Sequence, residues 1–300
     1  MPTQSPTAKR PGSAGAVAKR VSKSPPLPDK TATLSDHTAG SVGALTRLLQ
    51  ILDLFSLERT TIRVEEVVHA FGIVQSTAYR YLRELSDAGL LAQQGKGVYA
   101  LGRRIVELER ILQLSDPLLL AGKPVMDSLA KDAKDRSFLL CAYHRDGALC
   151  VYKVGPDDIP HAGSTMKIQR GRGTLLPLFT GAASHAILAH LPPHQLKSIY
   201  LARARDIAAA NLGASWTEFR DHLSQIRKRG YAETLGKVNP GMHSIAVPVL
   251  REDGRVVGSL LTLGSAAREK AEAALKQVPL LIRKADQMQK ALPVLDADTR

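Results

Sequence analysis

Apolar side chains recur at helical spacing once the chain leaves its first forty residues. Val42, Leu45, Leu48, Leu49, Leu52 and Phe55 fall on one stripe, which predicts an amphipathic helix over residues 41–57. Val64, Val67, Val68 and Phe71 predict a second, shorter helix that stops at Gly72, a residue suited to the positive φ of a helix end. A third helix is expected from about Val74 to just before Gly89, with Ala78, Tyr81 or Leu82, and Leu85 inward. Gln75, Ser76, Tyr79, Arg80 and Arg83 then face outward. Residues 90–101 alternate as two short strands around Gly95-Lys96-Gly97. A charged helix over residues 103–114 follows, and Ser115-Asp116-Pro117 marks a break and a new helix start.

Beyond that break the pattern alternates. A helix is expected over 117–133, then a hairpin of strands 137–144 and 148–154 turning at Asp146-Gly147. A helix over 181–191 comes next. Ser215-Trp216-Thr217-Glu218 is a capping box that opens a helix ending at Gly230. Strands are expected at 231–235, 244–250 and 255–263, the last after an Asp253-Gly254 turn. A final helix covers 266–291. This is an α+β chain whose second part holds a mostly antiparallel sheet.

Residues 1–40 are rich in Ser, Pro, Ala, Gly, Thr and Lys and poor in large apolar side chains, so ordering them would not be offset by burial. They read as a disordered basic tail. With 300 residues there is room for two cores. No apolar run reaches the roughly 18 residues of a membrane span, and the N-terminus has no signal-peptide pattern, so a cytoplasmic protein without membrane partners is expected. The cysteines, Cys141 and Cys150, are too few for a disulfide framework or a four-cysteine zinc site. A two-residue turn at Asp146-Gly147 sets Cys150 opposite Tyr143 and Cys141 opposite Tyr152. The thiols would then be free, buried and diagonal to each other.

The net charge of +13 is unevenly spread. Residues 1–40 carry six Lys and Arg against two Asp, residues 41–102 six of each sign, and residues 103–300 a surplus of 29 against 20. Two helices, a glycine turn, a third helix and a hairpin are the order of a winged helix-turn-helix, whose second motif helix enters the major groove. Its reading face would be Gln75, Ser76, Thr77, Tyr79, Arg80 and Arg83. Arg pairs with guanine, Gln with adenine, and the hydroxyls suit phosphates. Lys96 at the wing tip would touch the backbone or minor groove. Since this segment is electrically neutral as a whole, placement rather than total charge must supply the affinity. The competing reading is a helical module that binds protein, with Arg80 and Arg83 as solvated charges.

Catalysis finds little support. Ser184 and His185 are neighbours on a helix and point about 100° apart, with no nucleophile elbow around them. His185, His190 and His194 do not share one helical face, and Pro192-Pro193 interrupts them, so no metal site is read there. Gly171-Arg172-Gly173 lacks the context of a phosphate loop. No catalytic residue, metal or cofactor is expected.

The chain resembles the IclR family of bacterial transcriptional regulators. The resemblance is carried by Gln75-Ser76-Thr77-Ala78-Tyr79-Arg80-Tyr81-Leu82, by Tyr99-Ala100-Leu101-Gly102, and by Leu176-Pro177-Leu178 with the segment 181–189. Arg229-Gly230-Tyr231, Pro240-Gly241 and Ile245-Ala246-Val247-Pro248-Val249 complete it. It implies a winged helix-turn-helix at 41–102, a linker helix at 103–116 and an effector-binding domain similar to GAF domains at 117–291; the tail at 1–40 and a C-terminal tail at 292–300 lie outside it. It implies a homodimer or dimer of dimers on an inverted-repeat operator of double-stranded DNA, with a small-molecule effector and a catabolic pathway under control.

Carried over from the family, the effector site would comprise Thr180, Gly181, Ala182, Ala183, Thr234, Ser244, Leu261 and Leu263. The departures from members that respond to small keto acids lie here. Thr234 replaces an Asp, Ser244 a Cys, Leu261 and Leu263 two serines, and Gly236-Lys237 an acidic pair. Each leucine adds about 1.5–3 kcal/mol of burial and removes a donor. An aromatic or hydrophobic acid is therefore the expected effector, held by Ser244 and the backbone near Gly181. The alternative is a pocket filled by Leu261, Leu263 and Phe179 that binds nothing.

Overall fold

A computed structural model describes residues 43–131, 134–145, 147–161, 163–168, 170–236 and 240–294. The expected basic tail, Ser41 and Val42 of the first helix, Asp146, Lys237 and the last residues of the C-terminal tail lie outside the described residues.

The N-terminal part has its own core. Ile51, Leu54, Ile62, Val64, Val67, Ala78, Leu82, Leu85, Leu91 and Tyr99 are buried together. Helix α1 spans Ala44–Gln50 and tightens into a 3-10 turn, Ile51–Leu54. The helix is thus shorter than the apolar stripe suggested. Phe55 is extended, and the Arg59 guanidinium caps the chain end by donating to the Leu54 carbonyl at 2.7 Å. Strand β1, Thr61–Arg63, leads into α2, Val64–Phe71, and Gly72 closes α2 at φ 59°. Helix α3 runs Gln75–Asp87 and buries Ala78, Tyr81, Leu82 and Leu85. Strands β2, Leu91–Gly95, and β3, Val98–Leu101, form the wing. They make a three-stranded sheet in the order β1-β3-β2; the short strand β1 is too brief to show in the sequence pattern.

Helix α4, Arg104–Ser115, buries no residue and leads to α5, Pro117–Ala130, where Asp116 Oδ1 accepts from the Leu119 amide at 2.8 Å. The C-terminal part is built on a six-stranded antiparallel sheet in the order β8-β5-β4-β11-β10-β9. Its strands are β4 Arg136–His144, β5 Gly147–Val154, β8 Leu175–Pro177, β9 Ala232–Leu235, β10 Met242–Leu250 and β11 Val256–Ser265. A separate hairpin, β6 Asp158–His161 with β7 Ser164–Lys167, was not legible in the sequence. One face of the large sheet packs α6 Ala182–Leu188, α7 Pro193–Ala209 and α8 Trp216–Arg229 through Leu196, Ile207, Phe219, Leu223 and Ile226. The other face packs α5 and α10, Val278–Ala291, through Met126, Leu129, Leu281 and Met288.

Three expectations are corrected. The final helix is two helices, α9 Arg268–Leu275 and α10, because Pro279 has no amide proton and fits only a first turn. The 181–191 helix is only Ala182–Leu188, and α7 was missed because Pro192-Pro193 reads as a breaker although Pro also starts helices. The β4–β5 hairpin is shifted. Gly147 pairs with His144 inside the strand, since a Cβ there would sit 2.4 Å from the Leu176 carbonyl oxygen, and Arg145 takes the positive φ of 48°. Cys141 therefore lies directly opposite Cys150 instead of diagonal to it. Both are free and buried, as expected.

Candidate DNA interface and ligand face

Helix α3 presents Gln75, Ser76, Tyr79, Arg80 and Arg83 to solvent, with Thr77 half-buried. Positions 75, 79 and 83, and positions 76, 80 and 83, are spaced by one or two turns, so these groups share one face. Val74 offers no capping side chain, and the Thr77 and Ala78 amides bond only to the Val74 carbonyl. The Gln75 and Ser76 amides at the helix start point outward, where phosphates are favoured. The Arg80 guanidinium carbon lies 5.6 Å from the centroid of the Tyr81 ring, a cation–π contact on an otherwise exposed side chain.

The wing is tied to the start of α2 and passes close to Tyr79 of α3. Gly97 takes φ 71°, its carbonyl accepts from the Val64 amide at 3.1 Å, and a Cβ on it would lie 3.7 Å from the Tyr79 hydroxyl. Lys96 beside it is exposed. Some acidic residues of this part are engaged elsewhere, while Glu84 and Asp87 lie exposed towards the C-terminal end of α3. Glu66 accepts from the Arg63 amide at 2.6 Å and approaches Arg59 at 3.9 Å, and Asp53 lies 3.6 Å from Arg145. Among the described residues no ion pair engages Arg80, Arg83 or Lys96. A segment of zero net charge therefore offers exposed cations on the first turns of α3, with its acidic residues Glu84 and Asp87 nearer the C-terminal end.

The residues carried over for the effector meet on one face of the large sheet. Ser244 of β10 lies opposite both Thr234 of β9 and Leu263 of β11. Ser137 of β4 completes this row beside Leu263. In the next row Leu261 lies between Leu139 and Ala246. Ala182 and Ala183 of α6 are buried in the same apolar cluster as Leu261 and Leu263. Gly181 takes φ 91°, and Thr180 before it is half-buried. Leu261 and Leu263 are about as buried as any core leucine, whereas Thr234 and Ser244 bring hydroxyls into the same wall. Phe179 is also buried there, with the Arg203 guanidinium 5.4 Å over its ring.

Ser184, His185 and His190 have structural partners. Ser184 Oγ donates to the Leu176 carbonyl, and His185 Nε2 bonds the Phe179 carbonyl at 3.1 Å, so the two side chains address different backbone groups. His190 Nδ1 bonds the Ala186 carbonyl, and burial pushes its pKa down. One group escaped the sequence reading: Arg170, only 8% exposed. Nothing in its local pattern marks an arginine for burial, because that burial arises from strands far away in the chain.

A winged helix-turn-helix with an open cationic reading face, joined by one helix to an α+β domain, defines a DNA-binding transcriptional regulator. The family profile for the bacterial transcriptional regulator IclR C-terminal domain matches residues 115–290, and that for the IclR helix-turn-helix domain matches residues 44–95. The first alone spans more than half of the chain, and the protein belongs to the IclR family. It is similar to the HTH-type transcriptional regulator XynR of Escherichia coli, 26% identical over 221 residues, covering 73% of this chain and 84% of that protein. Among solved structures, an IclR transcriptional regulator from Alicyclobacillus acidocaldarius matches with a TM-score of 0.65 at 20% identity, over 85% of this chain and 100% of the other. An IclR homolog from Microbacterium hydrocarbonoxydans complexed with 4-hydroxybenzoate matches with a TM-score of 0.64 at 20% identity, over 83% and 99% of the two chains. The curated relatives are transcriptional regulators rather than enzymes. Among the described residues no helix is long and apolar enough to cross a membrane.

Proposed function

We propose that this regulator governs a catabolic pathway in the cytoplasm in response to an aromatic or hydrophobic organic acid. It would act as a homodimer or dimer of dimers on an inverted-repeat operator. Its DNA-reading part would be residues 41–102, its linker 103–116 and its effector domain 117–291. Gln75, Ser76, Thr77, Tyr79, Arg80, Arg83 and Lys96 would meet DNA, and Thr180, Gly181, Ala182, Ala183, Thr234, Ser244, Leu261 and Leu263 would line the effector site.

The observation that carries the DNA half is the exposed Arg80–Arg83 face beside Gln75 on α3, with no ion pair on either arginine among the described residues. Two copies of α3 in successive major grooves account for an inverted repeat, because a two-fold axis in the protein is matched by one in the DNA. For the effector half, the wall of Leu139, Leu261 and Leu263 with hydroxyls from Thr234 and Ser244 favours an apolar body over a small keto acid. The exposed apolar side chains Val106, Ile111, Leu112 and Leu114 of α4 favour a second copy of the chain packed along the linker. An effector would act by binding two spacings of the DNA-reading helices unequally.

A gel-shift titration against the DNA upstream of the gene, with the Arg80→Ala/Arg83→Ala double variant as control, tests the reading. Saturable binding that survives competitor DNA and is lost in the variant supports it. Equal and weak binding of both proteins refutes α3 as the reader. Calorimetry with aromatic acids against glyoxylate and pyruvate tests the effector class, and tight binding of the keto acids would sink it.

A further inference from the structure

Cys141 of β4 and Cys150 of β5 are directly opposed across an antiparallel pair, and they are the chain's only two cysteines. The backbone brings them close. The Cys150 amide donates to the Thr174 carbonyl at 2.9 Å, and the Cys150 carbonyl accepts from the Gly173 amide at 2.8 Å. In an antiparallel strand both backbone groups of a residue point to the same side, so Cys150 turns both to the outer edge and leaves none for β4. Such a pair brings its Cα atoms to about 4.5 Å, and its side chains closer than in a hydrogen-bonded pair. A disulfide spans Cα separations of about 4.4–6.8 Å.

Both side chains lie on one face of the sheet, where Cys141 and Cys150 share an apolar cluster with Leu139 and Ala148. Val151 and Tyr152 both pack on the other face. The pairing steps from Cys150–Cys141 to Tyr152–Leu140 and leaves Val151 as the extra residue of a bulge. The thiols interact with each other. The hydrogen bond with Cys141, its largest cause, lowers the Cys150 pKa, and the Tyr152 carbonyl, Lys153 and Arg172 act the same way against burial. The same bond, followed by burial, raises the Cys141 thiol well above its ordinary range. The Val151 carbonyl accepts from Arg172, whose Nε donates to Glu109 of α4. The thiol pair thus lies one residue from the contact that ties the linker helix to the sheet.

We propose that Cys141 and Cys150 are an oxidation site, at which a peroxide closes a cross-strand disulfide and a dithiol reopens it. The Cys150 thiolate attacks one peroxide oxygen, the O–O bond breaks, and the departing hydroxide takes up the thiol proton as water. This leaves a sulfenic acid on Cys150. The Cys141 sulfur then attacks the Cys150 sulfur. The S–S bond forms as the S–O bond breaks, and the Cys141 proton leaves with that oxygen as a second water. A dithiol reverses the closure by two exchange steps and itself becomes the disulfide. Both thiols are free and buried, so entry of the peroxide waits on the edge of the sheet. Leu176 of β8, opposite Ala148, is buried in the same cluster, and three residue pairs hold β8 to β5. Oxidation is therefore paced by opening of this edge and is slower than attack on an exposed thiol.

The test treats the full chain with hydrogen peroxide at neutral pH, below its melting temperature, then blocks the remaining thiols and reads the intact mass. Cys141→Ser and Cys150→Ser are carried alongside. The expected product is a monomer that has lost two hydrogens, takes up no blocking reagent and regains both thiols with dithiothreitol. Neither single variant should form it. The closed wild type should melt no lower than the reduced protein, since the strands already hold the spacing the bond needs. Thiols that stay free under a peroxide treatment that oxidises the urea-unfolded chain overturn the site. A disulfide found only between chains overturns it too, as does a product that carries added oxygen in place of the bond. A clear fall in melting temperature on closure also overturns it, because the bond would then distort the sheet rather than fit it.

Discussion

Arg172 Nε donates to Glu109 Oε1 at 2.5 Å, joining a turn of the C-terminal domain to the helix that leads to the DNA-reading domain. The same guanidinium also bonds the Val151 carbonyl of β5, so α4 is tied to the sheet edge through one side chain. Glu109 in turn accepts from Gln113 one turn along α4, and these bonds, Gln113 first and Arg172 next, hold its carboxyl below the usual range.

Breaking that tie should separate sensing from response. In Arg172→Ala, affinity for an effector acid should stay within about twofold of wild type, and thermal stability should change little, as partly exposed ion pairs contribute little. The change in operator affinity on adding the acid should shrink. Parallel calorimetry and gel shifts check this. An unchanged response in the variant would show that α4 is governed by other contacts.

Arg80→Ala should weaken operator binding by about 1–3 kcal/mol if Arg80 reads a guanine, and should relax preference at that base pair. Lys96→Ala should weaken binding evenly across sequences and reduce the salt slope by about 1. Fluorescence anisotropy with operator and scrambled DNA at several salt concentrations distinguishes the two effects.

Gly102→Ala should destabilise the junction between wing and linker. A Cβ at Gly102 would lie 2.0 Å from the Gly89 carbonyl oxygen, and both groups are backbone, so neither side can rotate away. The Gly102 amide also bonds the Leu90 carbonyl at 2.8 Å. The expected cost is about 1–3 kcal/mol, typical of overpacking, with a fall in operator affinity. Urea unfolding followed by circular dichroism measures the first and a gel shift the second.

Acid should weaken the fold partly through Asp135. Its carboxyl accepts from Lys270 at 2.8 Å and from Arg136 at 3.2 Å, and these hold its pKa below the ordinary carboxylate value, with the Lys270 bond the largest cause. A depressed folded pKa means stability that is fully present above the unfolded value of about 4 and lost as pH falls through the folded value. Urea unfolding of wild type and Asp135→Asn from neutral pH down to about pH 3 checks this. The variant should be less stable near neutrality and lose less on acidification.

Much of the candidate DNA-reading surface was legible because it obeys local rules. The stripe of Ala78, Leu82 and Leu85 orients α3, and once its inner face is known, the outward direction of Arg80 and Arg83 follows from the helical period. Gly72 and Gly97 announce their turns through backbone conformations that other residues rarely adopt. The sheet strands of the C-terminal domain were legible as strands for the same reason. Their register was not. The shift that brings Cys141 opposite Cys150 depends on Gly147 meeting Leu176, a contact from another strand.

What the sequence by itself determined is therefore the order of the elements, the class of protein they build and the face of the recognition helix. Each of these rests on spacing along one segment, where a few residues decide the energetics. Only the tertiary structure decided that β8 and the turn before it lie against β5, that Thr234, Ser244 and Leu263 share one row, and that the Ser259 hydroxyl is buried without a partner. Those facts arise from pairing between segments tens of residues apart, and burial is a property of such assembled neighbours rather than of any local pattern.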